Sequence, residues 1–293
     1  MAFTHDVIAR QHLGIADSAV VSLQKDMVAR LTGYGAEMNA SGIIVRSSPK
    51  ERAKAADFLF SSWSALGLQP LRHAYRKANV NGLVDLILAP YKGTNIYTIL
   101  EADRDEREYI VVGAHYDSEP GSPGAGDNAA GVALVYSLAD RLAQVQDRRL
   151  NFIFVFFDQE EDDEVGSTAF AQFLEDEKFK VHSVHVTDLS GWDIDGDRVI
   201  ELQSPGPMLL DLYQHAADRM GVELRITTGG SSDNKSFLKA GYHTAGVFGD
   251  ITEHLHKSTD TLETVDFEYL NLMTALMFTV LADVSTDVVA GNE

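Results

Sequence analysis

Three apolar runs in the middle of the chain predict buried strands, because short runs rich in β-branched and aromatic residues are typical of strands covered on both faces. The runs cover residues 109–114, 152–157 and 184–189. Polar residues suited to chemistry come where these runs end: His115 after the first, Glu160 and Glu161 after the second, and Asp188 in the third. Because an open α/β sheet binds its ligands at the carboxyl ends of its strands, the pattern predicts one site built from these residues.

Apolar residues at helical spacing predict helices between and around the strands. Pro49 is typical of a helix start and Gly67 of a helix end, and the loop over residues 119–126 leads into a helix that opens at Asp127. The predicted helices cover residues 17–31, 50–66, 127–142, 167–178, 235–240 and 266–283. Strand-like segments lie around residues 68–75, 83–88 and 94–100.

Length and composition are those of an ordinary globular chain. With 293 residues, of which 45% are hydrophobic and 23% charged, the chain is expected to form a single α/β domain over residues 1–293. Helices and strands of residues 1–90 are expected to pack on a core formed by residues 90–285.

The net charge of −20 disfavours nucleic acids and anionic membranes, since both attract basic surfaces. No apolar stretch reaches the ~18 residues of a membrane span, so no membrane partner is expected. The first ten residues lack the basic segment and apolar core of a secretory signal. We therefore expect a cytoplasmic protein, or an exported one if a longer precursor has been trimmed.

The chain contains no cysteine, so any zinc ion must be held by histidine, aspartate and glutamate. The candidate ligands are His115, Asp127, Glu161, Asp188 and His256. Neighbouring side chains on an extended segment point to opposite sides, so Glu160 and Glu161 are expected to have different roles. One of them can bind a metal ion while its neighbour addresses a bound water. The set predicts a two-zinc hydrolytic site with its own general base.

Simpler interpretations compete at several positions. Asp127 could act only as a helix N-cap, because a helical pattern follows it. His254 is the rival of His256, and the spacing of His256 to Asp260 favours His256. A solvated charge run is the interpretation we favour for residues 162–164.

The segment Gly229-Gly230-Ser231-Ser232-Asp233 has two equally supported interpretations. It resembles a substrate-pocket loop, which makes Ser232 and Asp233 candidate substrate contacts. It is also an ordinary turn before a helix.

The candidate residues fall into five short motifs. In chain order they are His115-Tyr-Asp117-Ser, Gly-Asp127-Asn-Ala-Ala-Gly, Glu160-Glu161, Asp188 and His256-Lys-Ser-Thr-Asp260-Thr. This order resembles the co-catalytic dizinc aminopeptidase family, whose relatives include bacterial leucyl aminopeptidases, plasma glutamate carboxypeptidase and glutaminyl cyclases. The resemblance covers about residues 90–285. It implies a three-layer α/β/α sandwich with a mixed, mostly parallel central sheet of the zinc-peptidase, phosphorylase/hydrolase-like type.

The resemblance also implies residue roles. Asp127 would bridge two zinc ions, His115 and Asp188 would bind one of them, and Glu161 and His256 the other. Glu160 would be the general base. Asp117 and Asp260 would orient His115 and His256 respectively, as carboxylates commonly do for ligating imidazoles. The same nitrogen and oxygen ligands also accept cobalt or manganese.

The implied activity is that of an aminopeptidase acting on peptides with a free N-terminus. A glutaminyl cyclase-like acyltransferase is the main alternative, and a carboxypeptidase would need a cation for the terminal carboxylate, for which Lys257 is the nearest candidate. The intact ligand set and Glu160 disfavour a non-catalytic binding module. Two positions depart from the family pattern: Leu255 stands where many members have the tyrosine that helps to stabilise the oxyanion, and Asn234 where relatives often have histidine or tyrosine.

Overall fold

The structure is a computed structural model that describes residues 17–34, 42–77, 91–104, 107–229 and 232–286. Within these ranges eight strands form one sheet. Their bounds are β1 Pro70–Lys77, β2 Tyr91–Leu100, β3 Glu108–His115, β4 Asn151–Phe157, β5 Lys180–Asp188, β6 Ile200–Gln203, β7 Leu224–Thr227 and β8 Thr244–Phe248. The predicted strand at residues 83–88 lies outside the described residues.

The sheet is mixed, with the order β1-β2-β4-β3-β5-β8-β6-β7. Its centre, β4-β3-β5-β8, is parallel throughout. Antiparallel pairs flank that centre: β1 with β2, β2 with β4, and β6 with β8. All seven residues of β4 are buried, as expected for an apolar run at the middle of a sheet with both faces covered.

Seven α-helices accompany the sheet within the described ranges. Their bounds are α1 Ser18–Thr32, α2 Pro49–Ala65, α3 Ala130–Leu142, α4 Val165–Asp176, α5 Pro207–Met220, α6 Asn234–Lys239 and α7 Phe267–Thr286. Local chemistry explains the start of α2: the Ser48 hydroxyl accepts the main-chain N–H of Glu51, and the Glu51 carboxylate accepts that of Ser48. This reciprocal cap satisfies two N–H groups that the helix leaves free.

Two apolar clusters divide the helices between the faces of the sheet. Residues of α1, α2, α3, α5 and α7 share one cluster with inward-facing strand residues such as Phe154 and Val112. The other cluster joins α4 and α6 to the opposite face, including Ile153 and Val155. The expected three-layer α/β/α sandwich is therefore confirmed.

The helix expected at residues 127–142 begins later than predicted. A single π-helical turn covers Ala125–Ala129, and Asp127 has non-helical backbone angles (φ −117°, ψ 86°) with a cis peptide bond to Asn128. The α-helix starts only at Ala130, and Asn128 Oδ1 accepts the N–H of Gly131 in its first turn at 3.1 Å. Interpreting Asp127 as an N-cap is thus wrong, because its carboxylate does not serve the helix N-terminus.

The expectation that no apolar stretch is long enough for a membrane span is corrected by helix α7, whose 20 residues, with a mean hydropathy of 1.3, are long and apolar enough to cross a membrane. Half of its apolar window is buried, and its inner side packs in the same cluster as α1, α3 and α5. This is the setting of a core helix.

Candidate metal centre

The candidate ligands meet at the carboxyl edge of the four parallel central strands. β3 ends on His115 and β5 on Asp188, while β4 and β8 lead into the loops that carry Glu161 and His256. Parallel strands bring their carboxyl ends to one edge, so residues far apart in sequence converge there. Asp127 enters from the π-helical turn before α3.

Asp127 lies between two imidazoles. Its Oδ1 is 3.1 Å from His115 Nε2, and its Oδ2 is 3.1 Å from His256 Nε2. The Asp127 side chain is only 6% exposed, so both oxygens are committed to these contacts. One carboxylate thus links two histidines that come from different strand ends.

His115 is completely buried and meets a second carboxylate. Its Nε2 is 3.3 Å from Asp188 Oδ1, and its Nδ1 is 3.4 Å from Asp117 Oδ1. Asp188 is itself held by the Ser232 hydroxyl, which donates to Oδ2 at 2.7 Å. His115, Asp127 and Asp188 therefore form one side of the cluster.

His256 forms the other side. Its Nε2 is 3.3 Å from Glu161 Oε2, and its side chain is 49% exposed. The ring of the rival His254 is instead 3.1 Å from the Thr259 hydroxyl. The geometry thus brings His256, and not His254, to Asp127 and Glu161.

Sequence reasoning missed Glu119 as a member of this cluster. Ligand atoms of Glu119, Glu161 and His256 lie within 4.8 Å of one another, as do those of His115, Asp127 and Glu161. The signal in the sequence is its position four residues after His115, in the loop that leads to Asp127.

Two further carboxylates hold the main chain of the site. Asp117 accepts the N–H groups of Glu160 and Glu161 at 3.1 and 3.2 Å, in addition to its position beside His115. Asp260 accepts the N–H groups of Gly126 and Asp127 at 2.7 and 3.1 Å. Among the described contacts Asp260 has no hydrogen bond to His256, so its expected role is corrected: it orients the Asp127 turn.

Ser232 and Asp233 are buried, with 1% and 0% exposure, and their role as substrate contacts stays a prediction. Ser232 is occupied by Asp188. Both carboxyl oxygens of Asp233 are buried without a hydrogen-bond partner in the described part of the chain, and this burial raises the pKa of Asp233 to about 8.

The electrostatics of the site are dominated by several acids that are buried close together. Burial raises the pKa of Glu160 to about 10 and that of Glu161 to about 8, and nearby carboxylates contribute in the same direction. Burial also opposes ionisation of Asp127, but its contacts with His115 and His256 outweigh burial and hold its pKa well below the usual range. The contact with Asp127 raises the pKa of His256 to about 9. For His115, burial alone would lower the pKa, yet the surrounding carboxylates raise it well above 6.5.

A divalent cation fits this donor set. Two ligand atoms about 2.0–2.1 Å from one tetrahedral zinc ion lie about 3.3–3.4 Å apart. The histidine–carboxylate separations around Asp127, Asp188 and Glu161 are 3.1–3.3 Å. Glu161 Oε1 is buried without a hydrogen-bond partner among the described residues, as expected of an oxygen placed to face a cation.

Comparisons with known proteins agree with this architecture. Aminopeptidase YwaD of Bacillus subtilis is 30% identical over 187 residues, which are 58% of this chain and 41% of YwaD, so the chain spans less than half of that relative. The solved structure of BSAP, a zinc aminopeptidase from Bacillus subtilis, has a TM-score of 0.78 at 15% identity, covering 93% of this chain and 96% of BSAP. A glutaminyl cyclase of Porphyromonas gingivalis has a TM-score of 0.72 at 17% identity, covering 90% of this chain and 98% of the cyclase.

At such identities the two solved structures show the fold alone. The family model described as Peptidase family M28 matches residues 95–281 and so includes all five candidate ligands. The resemblance noted in the sequence is thereby confirmed, and the chain belongs to peptidase family M28.

Proposed function

We propose that the protein is a metallo-aminopeptidase that removes N-terminal residues from peptides, using two zinc ions and Glu160 as general base. The observation that carries the proposal is the position of Asp127, whose two oxygens each face one imidazole nitrogen at 3.1 Å. A carboxylate placed in this way is suited to bridge two cations. Asp127 is also buried, so its carboxylate is not simply a solvated surface group.

The two sides of the cluster would hold one ion each. His115 and Asp188 would bind the first, Glu161 and His256 the second, and Asp127 both. When bound, such ions would polarise a scissile carbonyl and lower the pKa of a water molecule. Their charge would also offset the burial and the neighbouring carboxylates that raise the pKa of Glu160 and Glu161.

Glu160 is suited to move the proton. Its main-chain N–H donates to Asp117 Oδ1, which fixes the start of the loop after β4, and its side chain lies in the same buried, acidic surroundings as Asp188. In the proposed reaction its carboxylate takes a proton from the attacking water and then gives it to the leaving amine. Asp117 helps to orient both Glu160 and Glu161.

The relatives support the chemistry by their names: YwaD is called an aminopeptidase and BSAP a zinc aminopeptidase. The net charge of −20 also suits a substrate with a free α-ammonium group. We propose zinc as the first metal to load. Cobalt and manganese bind the same kinds of ligand and are the alternatives.

The test is mass spectrometry of a mixed peptide pool incubated with zinc-loaded protein, beside a sample treated with a chelator. The pool includes peptides that begin with glutamine. Stepwise loss of N-terminal residues that the chelator abolishes is the expected result, and it also gives the side-chain preference.

Other outcomes would replace the proposal. Intact N-termini with ammonia loss from glutamine peptides would indicate the cyclase activity named for the Porphyromonas gingivalis structure. Trimming from the other end would indicate a carboxypeptidase. An unchanged pool would reject an exopeptidase altogether.

A further inference from the structure

Arg46 is a completely buried guanidinium that lies outside the residues matched by the family model. It belongs to the segment between α1 and α2. Its side-chain hydrogen bonds all end on main-chain carbonyl oxygens: Tyr116 at 2.5 Å, Leu31 at 2.9 Å, Pro123 at 2.7 Å and Gly124 at 2.8 Å. None of the ion pairs among the described residues includes Arg46. Three of these four bonds reach the loop that leaves His115.

This loop, residues 116–124, determines how His115 and Asp127 are placed relative to each other, because it connects them along the chain. Arg46 also holds it through its main chain, since its N–H donates to Ser118 Oγ at 3.1 Å. At Gly124, which has φ +64°, an added Cβ would lie 2.6 Å from Arg46 Nη2. The glycine therefore allows the guanidinium to approach the loop backbone closely.

The charge of Arg46 acts on the same site. Burial lowers the pKa of Arg46 to about 10, while the carboxylates of Asp260, Asp117, Asp127 and Glu161 act in the opposite direction. The guanidinium thus stays positive near neutral pH. Its field favours the ionised carboxylates that a divalent cation requires.

We propose that Arg46 is a positioning residue of the metal centre, which fixes the loop between His115 and Asp127 and so sets the affinity of the site for zinc. The inference rests on the proposed function, because it assigns Arg46 a role toward the proposed ions. A guanidinium presents five donors in a rigid fork, whereas a lysine ammonium presents its donors from one atom. Lysine at this position keeps the charge but cannot hold three separated loop carbonyls.

The test is the zinc affinity of Arg46→Lys, measured by competition with a chromogenic chelator on protein whose circular dichroism matches the parent's. Loss of a group that orients a metal ligand typically weakens metal binding about 10- to 100-fold, and we expect a weakening in that range. Excess zinc should then restore turnover toward the parent value, which would not follow from a general loss of packing. Ser118→Ala removes the acceptor of the Arg46 main-chain N–H and should weaken zinc binding less.

Arg148→Lys is the matched control. Arg148 is also a buried guanidinium that donates to main-chain carbonyls, but it lies before β4, at the opposite edge of the sheet. Its variant should keep the zinc affinity of the parent.

Parent affinity in both Arg46→Lys and Ser118→Ala would overturn the role of Arg46 and leave the proposed function intact. An equal loss in Arg148→Lys would also overturn it, because the effect would then be general. If Arg46→Lys does not fold, Ser118→Ala decides by the same criterion. A parent chain that binds no zinc would overturn both proposals.

Discussion

Buried polar groups next to the start of β4, at the amino edge of the sheet, pair with neutral or oppositely charged groups, whereas several carboxylates crowd together at the carboxyl edge. Before β4, Arg148 donates to Glu101 O at 3.1 Å and pairs with Asp103 at 3.0 Å. Asn151, the first residue of β4, accepts from Ala102 N at 2.9 Å. At the other end of the same strand, burial raises the pKa of Glu160 to about 10.

The difference separates groups that stabilise the fold from groups kept for chemistry. A buried carboxylate costs free energy unless it is paired or coordinates a metal. Glu161 Oε1 and both oxygens of Asp233 are buried without hydrogen-bond partners in the described part of the chain. An edge that leaves carboxylate oxygens without protein partners is suited to an added cation.

The largest effect on turnover is expected when one acid of the carboxyl edge is neutralised. Glu160→Gln keeps the shape of the side chain but removes the base, so turnover should fall about 100- to 10,000-fold. Both zinc ions should remain, because Glu160 is not among the proposed ligands. Peptide hydrolysis and the zinc content of the dialysed protein measure the two effects.

Asp163→Asn is the control for Glu160→Gln. Asp163 is an exposed acid of the same loop, three residues further on, so its loss should leave turnover unchanged. Parent-like hydrolysis by Glu160→Gln would remove the base assignment, and a loss of zinc would move Glu160 to the ligands.

A second substitution sharpens the comparison by removing a proposed ligand. His256→Ala deletes the imidazole that faces Asp127 and Glu161, so about one equivalent of zinc per chain should be lost. Elemental analysis after dialysis measures it. His254→Ala is the matched control, since its ring contacts Thr259 and should not affect the metal content. Unchanged zinc content in His256→Ala, or lost zinc in His254→Ala, would assign the ligand role to His254 instead of His256.

The parts of the fold that could be predicted from sequence are those with long, periodic patterns. The fully buried strand β4 and the long helix α7 are of this kind. The polar residues that follow the strands indicated where the site lies. Strands β6 and β7 have only four residues each, which is too short for a period to show. Helix α5 could have been found, because Pro207 stands at its start and Gly221 at its end.

Site details that depend on tertiary contacts could not be predicted. The family resemblance implied that Asp260 orients His256, yet its carboxylate binds the N–H groups of the Asp127 turn. Arg46 carried no local signal, because its partners lie about 70 to 78 positions away along the chain, apart from Leu31. A sequence pattern gives residue types at strand ends, whereas the partner of each polar atom follows only from the packed structure.

The last expected effect is on stability and concerns Asp158, the buried acid that directly follows β4. Burial raises its pKa to about 7, although Arg52 Nε lies 2.8 Å from Oδ1. The folded chain therefore holds this proton more tightly than the unfolded chain, whose carboxyl has a pKa near 3.8. Its contribution to stability is fully present below pH 3.8 and is lost as the pH rises from there to about 7, by up to about 1.4 kcal/mol per pH unit.

Asp158→Asn imitates the protonated acid and removes this titration. In the presence of chelator, the free energy of unfolding of the variant should exceed the parent's by less at pH 5 than at pH 8, as measured by urea unfolding at both values. Asp57→Asn is the control, because Asp57 pairs with Arg72 on the surface with its side chain 75% exposed, and the slope should not change. If the variant is instead less stable than the parent, and by more at pH 8 than at pH 5, the pairing of Asp158 with Arg52 outweighs its burial. Asp158 would then belong with the paired groups of the amino edge.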